Sequence, residues 1–417
     1  MQTKRVVVTG IGCLTPLGNN LEDYWNGLIN GVSGADLITQ FDASKFRTKF
    51  ACEVKNFDPT EYMDRKDARK IDRFTQLAIA ASDQALNDAG LNKDNIDPDR
   101  AGVVLGSGIG GLITFQHEVM EFGKGDGTPR FSPFFIPKMI LDIAPGHVSM
   151  RHNLRGPNYS TVSACASSTH AIINALDLLR LGKADIMITG GSEAVISEAG
   201  IGGFNAMKAM SERNDDPKTA SRPYDKDRDG FIMGEAGAII ILETLDHALA
   251  RNAKIYCEVA GGAATADAYH ITAPHPEGLG AQNVMKMALK DADMKPEDID
   301  YINTHGTSTP LGDIAEVKAI LNVFGEHAYD LNISATKSMT GHCLGAAGAI
   351  EAVAVIQSVI HDIVPPTINH FTDDENLDPK LNFTFNTAQK RTVDAALSNT
   401  FGFGGHNAAI IVKKYIA

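Results

Sequence analysis

Hydrophobic and polar positions along the 417-residue chain fall into two patterns. Short continuous apolar runs at Val6–Val8, Gly102–Leu105, Ile186–Thr189 and Ala238–Leu242 predict strands buried on both faces. Between them, apolar residues recur at helical spacing over Gln76–Leu86 and Thr169–Leu181, which predicts helices with one face in a core. Strands alternating with helices throughout argue for an α/β protein. The first set of elements ends near Leu249 and a second opens at Lys254-Ile255-Tyr256-Cys257-Glu258-Val259, so the chain divides into residues 1–250 and 251–417.

The second part echoes the first. Cys165 heads an apolar helix that leads to a strand, and His342 heads another, running to His361 and leading to Ile363-Val364. Gly230-Phe231 and the following Gly237–Ile241 are matched by Gly402-Phe403 and the following Ala408–Val412. These echoes predict an internal duplication of one α/β unit, with two helix starts meeting at a shared centre.

Two glycine-rich stretches follow strands, Thr9-Gly10-Ile11-Gly12 and Gly106-Ser107-Gly108-Ile109-Gly110-Gly111. Neither completes GxGxxG and neither carries GK[ST], so they read as tight strand exits rather than dinucleotide or phosphate sites. A formal net charge of −13 argues against a nucleic-acid surface. The five cysteines (13, 52, 165, 257 and 343) are scattered and odd in number, which argues against a disulfide framework and for a reducing compartment. Lys4-Arg5 runs straight into Val6-Val7-Val8 without an apolar leader, and runs such as Ala238–Leu242 are too short to span a bilayer. A cytoplasmic protein away from membranes is expected.

Chemistry enters with Cys165. The small, polar segment Thr161–Ser168 precedes an apolar helix, which puts the thiol at a helix start. There the unpaired N–H groups and the helix dipole favour a thiolate and offer donors to an oxyanion. By position alone, Cys165 reads rather as a small packed core residue, which is what most free cysteines are. Three later loops tip the balance: Asn303-Thr304-His305-Gly306-Thr307-Ser308-Thr309-Pro310, Ala335–His342 with Lys337, and Ser398–Asn407 with its run Phe401-Gly402-Phe403-Gly404-Gly405. Each is rich in Gly, Ser and Thr and lies beside an apolar element, where functional residues commonly sit. No HExxH or similar spacing is present, which argues against zinc.

Taken together and in order, Val162-Ser163-Ala164-Cys165, His305–Pro310, Thr336–His342 and Asn399–Gly405 resemble the signatures of the β-ketoacyl-acyl-carrier-protein synthases. Length and the stretch Ser221-Arg222-Pro223-Tyr224-Asp225 fit the elongating members. The resemblance implies a thiolase-like, five-layered αβαβα fold of two duplicated halves, in a homodimer. It implies that Cys165 takes an acyl chain from an acyl carrier protein, after which a malonyl thioester loses carbon dioxide and attacks it.

By the same resemblance, His305 and His342 stabilise the enolate and Lys337 supports them, in a network with Glu351. The nine-residue offset between His342 and Glu351 turns them about 180° apart on a helix, which argues against contact along one helix side. The N–H groups of Cys165 and Phe403 would form the oxyanion hole, with Phe401 and Phe403 flanking the gate. Thr307 and Thr309 would hold the pantetheine arm. Ile109 and Phe204 match acyl-pocket positions, and Phe134 matches one that reaches across a dimer interface. No redox or nucleotide cofactor is needed. The resemblance leaves room for a structural Na+ or K+ near Asn303, Glu351, Ser398 and Asn399. His406 stands where many members have threonine.

The carrier protein is acidic, so docking requires a local basic patch. Arg65, Lys66, Arg69, Lys70 and Arg73 supply five cations within nine residues on what reads as one helix. Lys66, Arg69 and Lys70 match the family's docking positions, with Arg130 and Lys208 as further candidates. A polyketide-pathway ketosynthase shares all these features. A non-catalytic chain-length-factor subunit would lack the cysteine.

Overall fold

A computed structural model describes residues 3–416. Ten strands form its main sheet: β1 (Val6–Leu14), β2 (Ala101–Gly106), β3 (Asn158–Thr161), β4 (Ile186–Glu193), β5 (Ala236–Thr244), β6 (Cys257–Ala266), β7 (Tyr301–Asn303), β8 (Asn332–Ser334), β9 (Ala395–Gly402) and β10 (His406–Lys413). Their spatial order is β8-β7-β9-β10-β6-β1-β5-β4-β2-β3. Reading outward from the centre, the first five strands run 1-5-4-2-3 and the second five repeat that order. The pairings repeat too: antiparallel, antiparallel, parallel, parallel on each side. The duplication is therefore one of topology. Only Val7↔Glu258 and Val8↔Cys257 pair β1 with β6, so the two five-stranded halves are joined by a narrow seam.

Five helices complete the layers: α1 (Arg73–Asp88), α2 (Ser167–Arg180), α3 (Leu279–Asp291), α4 (Pro310–Phe324) and α5 (Ala347–His361). The first, α1, covers the outer face of the first half, while α3, with α4 against it, covers that of the second. Between the halves lie α2 and α5, each touching strands of both. The result is the thiolase-like αβαβα sandwich. One core cluster fills the centre around Ile172, Leu176, Val353 and Ile356, and two others lie under the outer helices. A strand covered on both faces has every residue inside, and all nine of β5 are buried. Leu344–His361 is long and apolar enough to cross a bilayer, contrary to the sequence expectation, but 89% of it is buried in this central layer.

The sequence echoes are displaced in detail. Ile363-Val364 pairs with Gln389-Lys390 in a separate two-stranded ribbon, and the counterpart of β4 is β9. Gly230-Phe231 lies in a loop before β5, whereas Gly402-Phe403 lies at the end of β9, so those two dipeptides are not equivalent. Both central helices begin after a one-turn 3-10 element, Ala164–Ala166 and Leu344–Ala346. The two turns open on matching left-handed residues, Ala164 (φ 51°) and Leu344 (φ 46°).

Candidate active site

Cys165 sits inside the first of these turns, ahead of α2. Ala164 is held in a backbone region that non-glycine residues rarely adopt. Ser167 fastens the turn: its Oγ donates to the Ala164 carbonyl (2.7 Å) and accepts the Ser163 N–H (2.9 Å). The N–H groups of Phe403 and of Cys165 itself are directed at the sulfur. Burial pushes the Cys165 thiol up to about 12, against the pull of Lys337 and those N–H groups. The helix-start reading expected a favoured thiolate. In this buried site desolvation is the largest influence on the thiol.

The second half brings the other groups. His305 follows β7, and Lys337 and His342 follow β8. His342 Nε2 lies 3.0 Å from Cys165 Sγ. The thiol and one nitrogen of each imidazole all fall within 4.8 Å of one another. The rings of His305 and His342 meet edge to face, 5.2 Å apart at 88°. Burial, and then the positive charge of Lys337, hold both imidazoles well below the ordinary histidine value. Both are neutral at neutral pH.

Lys337 is buried and donates from Nζ to Glu351 on α5. The helical-offset argument does not govern Glu351, because His342 precedes α5 and the partner is Lys337, as the resemblance implied. Burial pushes the Glu351 carboxyl up to about 7, with Lys337 pulling it back. Glu351 Oε2 has no hydrogen-bond partner among the described residues.

Two further carboxylates went unnoticed in the sequence. Glu316 on α4 accepts the N–H groups of His305 and Gly306, both at 2.9 Å, and so fixes the backbone that carries the first imidazole. Glu193, at the end of β4, is wrapped by the second glycine-rich stretch. It accepts the N–H groups of Gly108 (2.7 Å) and Gly110 (2.9 Å), the Ser107 hydroxyl (3.0 Å) and, from the other half, the Gly345 N–H (3.1 Å). That strand exit is thus an anion cradle whose anion is internal. The signal available was a glutamate closing an apolar strand. Phe231 was also missed as a site residue. Its ring meets His342 edge-on at 5.3 Å and Phe204 at 5.5 Å.

A cavity of about 370 Å³ is lined by Cys165, His305, His342, Phe231, Phe401 and Phe403, with Phe204, Thr307, Thr309 and Lys208 also on its walls. The Thr307 and Thr309 hydroxyls are 3.0 Å apart. Ile109 and Phe134 lie elsewhere: both are exposed, and neither belongs to the lining. Phe403 stacks obliquely on Phe204 (6.3 Å) and Phe401 on His305 (5.7 Å). Exposed His406 opens β10 just past the Gly404-Gly405 turn.

The predicted basic helix is two pieces. Arg65–Ala68 forms a short helix, a turn follows, and Arg73 starts α1. Arg73 leaves the patch altogether, because its guanidinium binds buried Glu235 at 2.7 Å and the Val54 carbonyl at 3.0 Å. Lys66 and Arg69 are exposed, and half-buried Lys70 pairs with Asp67 (2.7 Å) below the Phe134 ring. Arg130 and Lys208 are exposed, and Lys208 also borders the cavity. Asn303, Ser398, Asn399 and Glu351 are buried. Asn303 Nδ2 reaches Ser398 Oγ at 3.5 Å, and Asn399 Nδ2 reaches Glu316 at 3.3 Å.

A five-layered sandwich with a cysteine and two histidines meeting where its halves join is a thiolase-like condensing acyltransferase. The sequence profile of the beta-ketoacyl synthase N-terminal domain matches residues 3–248, and that of its C-terminal domain residues 256–371. The chain belongs to the β-ketoacyl synthase family. It is 51% identical to a 3-oxoacyl-[acyl-carrier-protein] synthase 2 of Synechocystis sp., covering 100% of this chain and 99% of that one. Among solved structures, the ishigamide ketosynthase/chain length factor superposes with a TM-score of 0.93 at 33% identity, over 99% of this chain and 100% of that one. A type II polyketide acyl-carrier protein in complex with its ketosynthase, bound to the hexaketide, gives 0.89 at 32% over the full length of both chains.

Proposed function

We propose that this protein elongates fatty acyl chains as a 3-oxoacyl-[acyl-carrier-protein] synthase, with Cys165 as nucleophile. The observation that carries the reading is the meeting of Cys165 Sγ, His342 Nε2 at 3.0 Å and His305 on the wall of one cavity. In the first half-reaction the thiol loses its proton, attacks the carrier thioester and becomes acylated. The departing pantetheine thiolate takes that proton. The Cys165 and Phe403 N–H groups, already aimed at the sulfur, receive the oxyanion. In the second, malonyl thioester loses carbon dioxide and its enolate oxygen accepts N–H bonds from His305 and His342. Neutral imidazoles in a dry site donate strongly without a counter-charge. The new carbon–carbon bond expels the Cys165 thiolate, which takes a proton from solvent.

Thr307 and Thr309 bind the pantetheine arm, and Lys66, Arg69 and Lys70 meet the acidic carrier, with Arg130 and Lys208 extending the contact. Phe403 gates the cavity, and Phe204 borders the acyl chain. A monovalent cation would be held among Asn303, Ser398, Asn399 and Glu351, a reading supported by buried Asn399 Oδ1 and Glu351 Oε2, which have no partner among the described residues. Such an ion would supply a fixed charge that steadies the loops and takes no part in bond making. The protein works as a cytoplasmic homodimer. Exposed Phe115, Phe122, Phe131, Phe134 and Ile136 and the edge strand β3 with exposed Tyr159 support that assembly.

A polyketide ketosynthase is the second reading, favoured by the full-length superposition on a type II polyketide ketosynthase complex at 32% identity. Intact-protein mass spectrometry with a panel of acyl-carrier thioesters decides. The fatty-acid reading expects saturated acyl masses on the wild type and none on Cys165→Ala. Labelling confined to polyketide intermediates supports the second reading, and no adduct with any donor removes both.

A further inference from the structure

Arg228 sits behind the two threonines, with its side chain 2% exposed. One of its terminal nitrogens donates to the Asp225 carbonyl and to Asp374 Oδ2, both at 2.7 Å. The other donates to the Pro310 carbonyl at 3.0 Å, and Nε reaches the Thr309 carbonyl at 3.3 Å. Nε also lies 3.4 Å from Asp313 in the first turn of α4. One buried cation thus ties three stretches together: residues 225–228, 309–313 and 374.

The stretch it grips needs holding. Ser308, between the two threonines, has φ 64°, a left-handed conformation unfavourable for serine. Its Oγ accepts the Arg222 N–H and its carbonyl accepts the Gly230 N–H, each at 3.0 Å, so both anchors come from the loop that carries Arg228. The Thr307 and Thr309 hydroxyls lie 3.0 Å apart on either side of Ser308. A planar guanidinium serves several acceptors in fixed directions at once, whereas an ammonium is a point charge.

We propose that Arg228 is a positioning residue that sets the Thr307 and Thr309 hydroxyls in register for the pantetheine arm. The inference rests on those hydroxyls receiving the arm, as argued above. Misplacing a binding group by about 1 Å costs up to about a hundredfold, and the loss falls on donors that carry an arm.

Acylation of Cys165 in the full-length protein is followed by intact mass with octanoyl-pantetheine and with S-ethyl octanethioate, which has no arm. Arg228→Lys is expected to raise the half-saturation concentration for octanoyl-pantetheine about tenfold. The limiting rate, and the rate with the armless thioester, stay within about twofold. Asp374→Asn, which loosens one side of the grip, shifts the same ratio in the same direction and carries the test if Arg228→Lys does not fold. An equal slowing of both donors, or no change in either, overturns the inference. A Thr307→Ala/Thr309→Ala double variant separates the two levels. If it discriminates against the arm and Arg228→Lys does not, Arg228 alone is misassigned. If it treats both donors as the wild type does, the reading of the hydroxyls falls, and the inference with it.

Discussion

Gly402 backs onto the turn that carries Cys165. A Cβ at position 402 would stand 2.6 Å from the Ser163 carbonyl oxygen and 3.2 Å from the Cys165 amide nitrogen. The end of β9 and the nucleophile's turn are therefore at backbone contact, which is what brings the Phe403 N–H to the sulfur.

Gly402→Ala is expected to force the two strands of backbone apart, at a cost of ~1–3 kcal/mol. Iodoacetamide, which needs no oxyanion hole, should still alkylate Cys165, while acylation from a thioester falls by at least tenfold (about 1.4 kcal/mol). Acylation at the wild-type rate would show that the contact is not needed.

Lys337 and Glu351 form a buried pair, so removing one partner strands the other. Glu351→Leu leaves an unpaired ammonium and is expected to destabilise the protein by ~3–5 kcal/mol, read by urea denaturation. A Lys337→Met/Glu351→Leu double variant should recover most of that stability without recovering condensation.

The two imidazoles titrate low, so the folded protein binds fewer protons there than the unfolded chain. Stability from His305 and His342 is fully present above about pH 6.5 and is lost as pH falls toward their folded values. Glu316 and Glu351, pushed up to about 7, work the other way: their contribution is present below their ordinary values and is lost as pH rises through about 7. Melting temperature measured from pH 5 to 6.5 should therefore rise less steeply with pH in a His305→Asn variant than in the wild type. Identical slopes would mean that His305 is not held neutral by burial.

Arg73 and its neighbours separate by role. Lys66→Glu with Arg69→Glu is expected to raise KM for acyl carrier protein several-fold, in a salt-dependent way, and to leave turnover of free acyl-pantetheine alone. Arg73→Met should instead lower the melting temperature, because it leaves Glu235 buried without its cation.

Much of this was legible in the sequence because it is local. The strands at Val6, Gly102, Ile186 and Ala238 announce themselves by continuous apolar runs, and Cys165 by the small, polar turn before an apolar helix. The doubling was readable from helix starts, yet its true counterparts, β4 and β9, share no dipeptide that a reader would align. What escaped depends on distance along the chain. Glu193 finds its partners at Gly108 and Gly345, and Arg228 at Pro310 and Asp374. No periodicity encodes such pairings. The burial of the Cys165 thiol escaped for the same reason. Its place at a helix start is local, but its burial is set by walls from Phe231, His342 and Leu344. Arg73 fell inside a run of cations, and only the folded chain shows it turned inward.

The twin turns ahead of α2 and α5 have parted company. In the first, the residue after the left-handed one is Cys165. In the second it is Gly345, whose N–H feeds Glu193 and where a Cβ would press to 2.6 Å of that carboxylate. The second copy has no room for a side chain where the first keeps its nucleophile. A symmetry of topology thus ends in a division of labour: one repeat holds the thiol and the other furnishes the imidazoles. With Cys165 as the proposed nucleophile, each chain is expected to load a single acyl group, however evenly its halves are built.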